Sequence, residues 1–253
     1  MTSRFQFPSL STSLRAAALA ALAVAGQAHA ADAGTGSGSM LDGWTFYLGG
    51  AYIDVHAKSS PLSGTSTTFP DGSTHAARFR IDDASTVGFG LVYRFNKTWS
   101  GELALGLPAE HSIHGEDLLE SFDQITLVKQ APPAAFLNYH FPEVAEGVSF
   151  FVGPGINYTR FLRARNTASG NAAAGGETKV KLDSSWGLAG HVGGTWQIDR
   201  NWSFVGTVAY AHVTSTQTST TQTNLGNGPV TVTHTANINF RPVVYSLSLG
   251  YTF

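Results

Sequence analysis

From residue 44 onward the chain alternates between large apolar residues and small or polar ones, and a period of two means strands with two unlike faces. The end of the chain shows it plainly. Val243, Tyr245, Leu247, Leu249, Tyr251 and Phe253 fall on one face, and Val244, Ser246, Ser248, Gly250 and Thr252 on the other. Val87 to Phe95 and Trp186 to Trp196 repeat the pattern. Eight segments carry it, at residues 44–56, 85–95, 99–108, 133–141, 150–160, 184–197, 202–212 and 243–253. Most have the ~9 to 11 residues of a tilted transmembrane strand.

The connections alternate in length: short at 96–98, 142–149 and 198–201, long at 57–84, 109–132, 161–183 and 213–242. This rhythm predicts an all-β fold, an eight-stranded antiparallel up-and-down transmembrane β-barrel with short periplasmic turns, long extracellular loops and both barrel ends on the periplasmic side. The aromatic residues agree. Trp44, Trp99 and Trp202 begin upward strands and Phe95, Phe141 and Phe253 end downward ones, so all six are expected at the periplasmic interface. Tyr52, Tyr158, Tyr210 and Tyr245 are expected near the other rim.

Composition sharpens this picture. Charged residues are 13% of the 253, about half of the roughly 25% usual in soluble domains. The eight windows hold only Asp54, Arg94, Glu102 and Arg160, whereas a soluble sandwich or lipocalin-like barrel needs a charged exterior. A net charge of -2 leaves no basic excess for nucleic acid, and 29 aromatic residues argue against disorder. Without cysteine, disulfides and thiolate metal sites are excluded.

Arg4 and Arg15, the apolar run Ala16 to Ala25 and the Ala28-His29-Ala30 cleavage pattern predict a cleaved export signal at residues 1–30. A flexible lead-in at 31–43 and the barrel at 44–253 follow. Export without a spanning helix points to the outer membrane of a Gram-negative-type cell.

Several segments resemble the OmpW family of small outer-membrane proteins: Trp99-Ser-Gly-Glu102-Leu, Pro132-Pro133 before Leu137-Asn-Tyr139-His-Phe141, Phe151-Val-Gly153-Pro-Gly155-Ile-Asn157-Tyr158-Thr159, Asp183-Ser-Ser-Trp186-Gly187-Leu188, and Tyr245 to Phe253. The resemblance implies an eight-stranded barrel with a narrow, largely apolar interior that passes small hydrophobic molecules. Loops 57–84 and 213–242 carry no recognisable match.

The chain's own lumen-facing parity gives Tyr47, Gly49, Ala51, Gly90, Val92, Arg94, Glu102, Ala104, Phe136, Asn138, Gly153, Gly155, Asn157, Ala189, His191, Val205, Ala209 and Ser248. Eight strands enclose room for filling side chains or one small ligand, which excludes a wide aqueous pore. A register centred on Thr98 places Arg94 opposite Glu102, predicting an ion pair at the periplasmic mouth. Pro108 and Pro154 each remove a ladder donor; Pro154 suggests a bulge or a lateral opening for an apolar solute. His111, His114, Glu116 and Asp117 fit a solvated loop better than a metal site, and Leu118, Phe122 and Ile125 suggest a short loop helix within 117–127. Ser184, Ser185, Asp183 and His191 cannot assemble a triad, because Ser185 and His191 lie about 20 Å apart along one strand.

The expected function is therefore a passive narrow channel or binding conduit for small hydrophobic molecules, not an enzyme, with no cofactor and no metal. Its expected partners are outer-membrane lipid and the solute, with a monomer favoured. The alternative is a non-transporting structural or adhesive barrel whose Ser/Thr-rich loops, especially Thr214 to Thr223, contact an external partner.

Overall fold

The computed structural model describes residues 43–253 apart from 225 and 227. The expected export signal and nearly all of the lead-in lie outside these residues.

Eight antiparallel strands close a barrel: β1 (Trp44–Asp54), β6 (Ala84–Arg94), β7 (Trp99–Gly106), β10 (Ala134–His140), β11 (Val148–Asn166), β13 (Ser185–Gln197), β14 (Trp202–Ala211) and β17 (Val243–Thr252). Each pairs with its two neighbours, and β10 with β11 completes the ring. Leu48, Leu188, Val192, Phe204 and Leu247 stand exposed on the outer wall, an apolar exterior suited to lipid. At the periplasmic end the girdle forms arcs of touching rings. Trp44, Tyr93 and Phe95 make one, Trp99, Tyr139 and Phe141 a second, and Trp202, Tyr251 and Phe253 a third.

Two short turns share one device. Asn96 Oδ1 accepts from the N–H groups of Thr98 and Trp99 at 2.8 and 2.9 Å. Asp199 Oδ1 accepts from Asn201 and Trp202 at 2.8 Å each, which holds its carboxyl below the ordinary range. The first turn centres on Lys97: Arg94 faces Ser100, and Glu102 faces Val92. Arg94 and Glu102 thus share the lumen face, yet the expected ion pair does not form, because the register is displaced by one pair.

The long connections are largely built from strands. They contain β2 (Ala57–Ser59), β3 (Thr67–Thr68), β4 (Thr74–His75), β5 (Ala77–Ile81), β8 (Ala109–Asp117), β9 (Gln124–Ala131), β12 (Glu177–Leu182), β15 (Val213–Asn224), β16 (Pro229–Phe240) and α1 (Ala168–Ala173). Strands β5, β8 and β9 join the upper part of β11, while β12, β15, β16 and β2 form a four-stranded sheet. Together they enclose an apolar core that includes Phe79, Ile113, Val128, Leu182, Ile238 and Phe240. The barrel therefore carries a folded extracellular cap.

No helix forms over 117–127. Strand β8 runs to Asp117, whose φ of 60° starts a turn, and β9 begins at Gln124. Phe122 packs on the cap core from that turn beside Leu119, Ile125 is buried in β9 and Leu118 is exposed, so the three residues of the expected helix share no helical face.

Candidate functional site

Two cavities occupy the barrel. The lower, about 450 Å³, is lined by Tyr47, Val92, Arg94, Glu102, Phe136, Asn138, His191 and Val205 among others. The upper, about 150 Å³, is lined by Ala104, Phe136, Asn157, Ala189, Ala211, Val213 and Phe240 among others. Most of the upper lining is apolar, as suits apolar contents.

A polar latch lies beneath the upper cavity. Glu102 accepts from Tyr47 Oη at 2.8 Å and from Asn138 Nδ2 at 2.7 Å. The amide therefore turns Oδ1 toward His191, whose Nε2 must carry the proton it donates at 2.7 Å. His191 also lies 3.8 Å from Glu102 Oε2 and stacks on Phe136 with centroids 3.9 Å apart, while Phe151 meets it edge-on. Asn138 is 1% exposed and His191 5%. Ala104, Phe136 and Ala189 stand two residues above Glu102, Asn138 and His191, which puts the latch immediately below the apolar chamber.

Glycines make the latch reachable. Gly153 pairs with His191 on one side and sits in the row of Asn138 on the other; a Cβ there would strike both side chains. Tyr47 leans across Gly90, where a Cβ would strike its ring. The Tyr47–Glu102 and Asn138–His191 contacts thus span strands that are not neighbours, and no period-two reading pairs their residues. Sequence reasoning also missed Ser100 and His140, which share a 2.8 Å hydrogen bond, and Phe151.

The wall is interrupted beside the upper cavity. Paired residues of β7 and β10 end at Ala104 with Ala134, and pairing resumes above at Ala109 with Gln130. His140 N–H donates to Thr98 O, so even-numbered residues of β7 bond across to β10. Gly106 should then bond Pro132, and proline has no N–H to give. Pro108 removes the next donor from the facing side. Each edge stays attached to its other neighbour: Leu107 N–H donates to Val87 O at 2.9 Å, Thr86 Oγ1 to Leu107 O at 2.8 Å, and Tyr158 N–H to Pro133 O at 2.9 Å. The upper cavity is lined here by Leu105, Gly106, Leu107 and Pro132.

Pro154 behaves differently from the expected bulge. Its neighbours keep an unshifted register, with Phe136 facing Gly155 and Tyr139 facing Val152, although the ladder skips Leu137 and Asn138. Toward β13 the pairing is continuous through Pro154 and Gly190. Proline removes one donor there without adding a residue. Pro154 lies on the outer surface and lines neither cavity.

The remaining candidates disperse. His111 is buried in the cap, its Nδ1 donating to Asp82 O at 2.9 Å and its Nε2 accepting from Gln130 Nε2 at 2.9 Å. His114 lies 3.0 Å from Asp82, and Asp117 bonds His75. The Thr214 to Thr223 stretch belongs to β15, with Ser215, Gln217, Ser219 and Thr221 buried.

The OmpW family profile matches residues 47–253. Outer membrane protein W of Vibrio cholerae is 29% identical over 176 residues, covering 68% of this chain and 76% of that protein. Outer membrane protein AlkL of Ectopseudomonas oleovorans is 23% identical over 182 residues, covering 72% of each. Among solved structures, OprG of Pseudomonas aeruginosa superposes with a TM-score of 0.68 at 23% identity, over 84% of this chain and 96% of that one. AlkL in lipid bilayers superposes with 0.55 at 18%, over 88% and 96%. With a closed eight-stranded barrel and a family match spanning the described strands, the chain is an outer-membrane protein and belongs to the OmpW family.

Proposed function

We propose that this barrel is a passive conduit for small apolar molecules, and that they leave sideways into the membrane through the gap between β7 and β10. The observation that carries the reading is the apolar upper cavity meeting the wall where Pro108 and Pro132 withhold their donors. An apolar solute gains nothing from entering water, since burying apolar area is worth about 25 cal/mol per Å². A side exit into lipid keeps it buried throughout. The latch acts as the floor: displacing Tyr47, Asn138 or His191 from its partner exposes buried polar groups at about 1 to 3 kcal/mol each. The gap, rather than the wall at Pro154, is the exit in this proposal.

The test is uptake of a panel of linear alkane-like and polar solutes by cells with and without the protein. Faster uptake of the apolar members alone is expected; equal uptake of every apolar solute in both cells removes the proposal.

A further inference from the structure

A β-bulge above the membrane wall points to a lipid-recognition surface. Strand β11 carries outward-facing Ile156 and Tyr158 along the barrel, and Tyr158 packs on exposed Trp186 with ring centroids 4.7 Å apart. This aromatic pair marks the outer interface. Arg160 follows on the same face, roughly 7 Å further out at two residues of strand rise. Between Phe161 and Arg163 the register with β9 shifts by one residue. Without that shift Arg163 and Arg165 would point into the apolar cap core; with it, Phe161 and Ala164 pack on the core while Arg163 and Arg165 face out.

Neighbouring strands extend the basic surface. Lys129 of β9 stands opposite Arg163, and β12 presents Lys179 and Lys181 from the far side of a groove of about 440 Å³ whose walls include Leu162, Arg163, Lys181 and Asp183. Six of the 13 lysines and arginines beyond residue 43 gather here. Only two have carboxylate partners: Lys129 lies 3.7 Å from Glu110, and Lys181 lies 3.7 Å from Asp183. Arg160, Arg163, Arg165 and Lys179 have no ion-pair partner among the described residues. A separate groove at the turn between β8 and β9 gathers Glu116, Asp117, Glu120 and Asp123 around Arg80.

We propose that this surface binds the phosphorylated headgroup of an outer-leaflet glycolipid, with Arg160, Arg163 and Arg165 holding phosphate groups. The height selects the ligand. A cation cluster directly above the aromatic interface lies at the depth of lipid headgroups, whereas a site for a soluble polyanion has no need of that level. Guanidinium groups suit the task because they bond phosphate oxygens in a fork. The inference is independent of solute transport and concerns anchoring of the cap.

The test uses the full barrel in detergent micelles, titrated with diphosphorylated lipid A, the same lipid stripped of phosphate, phosphatidylethanolamine and soluble heparin. The wild type is expected to retain diphosphorylated lipid A at least about tenfold better than the dephosphorylated form. R160Q/R163Q/R165Q should abolish that preference and R160K/R163K/R165K should keep most of it. R78Q/R80Q, altering arginines outside the patch, should leave it unchanged. Heat-modified migration on gels verifies that each variant is folded. Equal retention of both lipid A forms by the wild type, or an unchanged preference in R160Q/R163Q/R165Q, overturns the proposal. Binding of heparin as tight as lipid A overturns the lipid assignment.

Discussion

Strands β16 and β17 run almost continuously from cap to wall, and their side chains reverse roles at Arg241-Pro242. Above it, Ile238 and Phe240 are buried in the cap core and Asn237 faces out. Below it, the same inward parity carries Ser246 and Ser248, and the outward parity carries Tyr245, Leu247 and Leu249. One pleat thus serves two solvents. In water the apolar set must go inside; in lipid it must go outside, because only there does the exterior need no hydration. The chain makes the exchange in two ways. Here it changes composition at constant parity, while β7 to β8 and β11 change parity, at Pro108 and at the Phe161–Arg163 bulge.

The contrast can be broken most forcefully at the cap core. Ile113→Ala or Ile238→Ala should cost the cap about 2 to 5 kcal/mol, read as faster hydrogen exchange and proteolysis in β8, β9 and β15 while barrel protection persists. Equal loss in barrel and cap would show that the two regions unfold as one. The reverse test places a charge on each exterior. Leu247→Arg should destabilise the barrel by about 2 to 4 kcal/mol in lipid, whereas Thr233→Arg on the exposed cap face should stay within about 0.5 kcal/mol. Urea titration in vesicles measures both, and similar costs at the two sites would remove the two-solvent account.

A smaller effect is expected at the latch. Asn138→Leu removes a donor from Glu102 and the acceptor of His191, at roughly 1 to 3 kcal/mol for the groups left unpaired. It should also raise leakage of small polar solutes toward the periplasm, measured by liposome swelling. Unaltered leakage would mean that the latch is not the floor.

The smallest concerns pH. Burial holds His111 below the ordinary imidazole pKa of 6.5. Below that value the unfolded cap takes up a proton that the folded one refuses, so cap stability falls as pH drops from about 6.5 toward the lowered folded value. His111→Gln should flatten that slope in hydrogen exchange between pH 7 and 5; an unchanged slope assigns it elsewhere.

The eight wall strands are legible in the sequence because lipid demands a large apolar residue at every second outward position, as at Tyr245, Leu247 and Leu249. The cap strands are not. Residues Thr214 to Thr223 are threonine, serine and glutamine on both faces, so alternation leaves no trace even though Ser215, Gln217, Ser219 and Thr221 are buried. Glu102 stands out as a rare charge on lumen parity, but its partner depends on a turn whose centre is set by Asn96 Oδ1, one residue from the centre that symmetry suggests. Asn138 and His191 are identifiable as lumen residues; their meeting depends on Gly153 between them. Pro132 and Pro133 are visible as a pair, but their consequence appears only when Gly106 is found opposite.

The most direct test of the sideways exit is a reversible bridge across it. The chain has no cysteine, so Cys introduced by Leu107→Cys and Ala131→Cys, which the β7–β10 register sets opposite one another beside the gap and which leave Pro108 and Pro132 in place, can pair only with each other within one barrel. With the bridge confirmed by mass spectrometry, oxidation should abolish uptake of apolar solutes and reductant should restore it, while either single variant behaves alike in both states. Undiminished uptake through the oxidised barrel would contradict a lateral exit between β7 and β10.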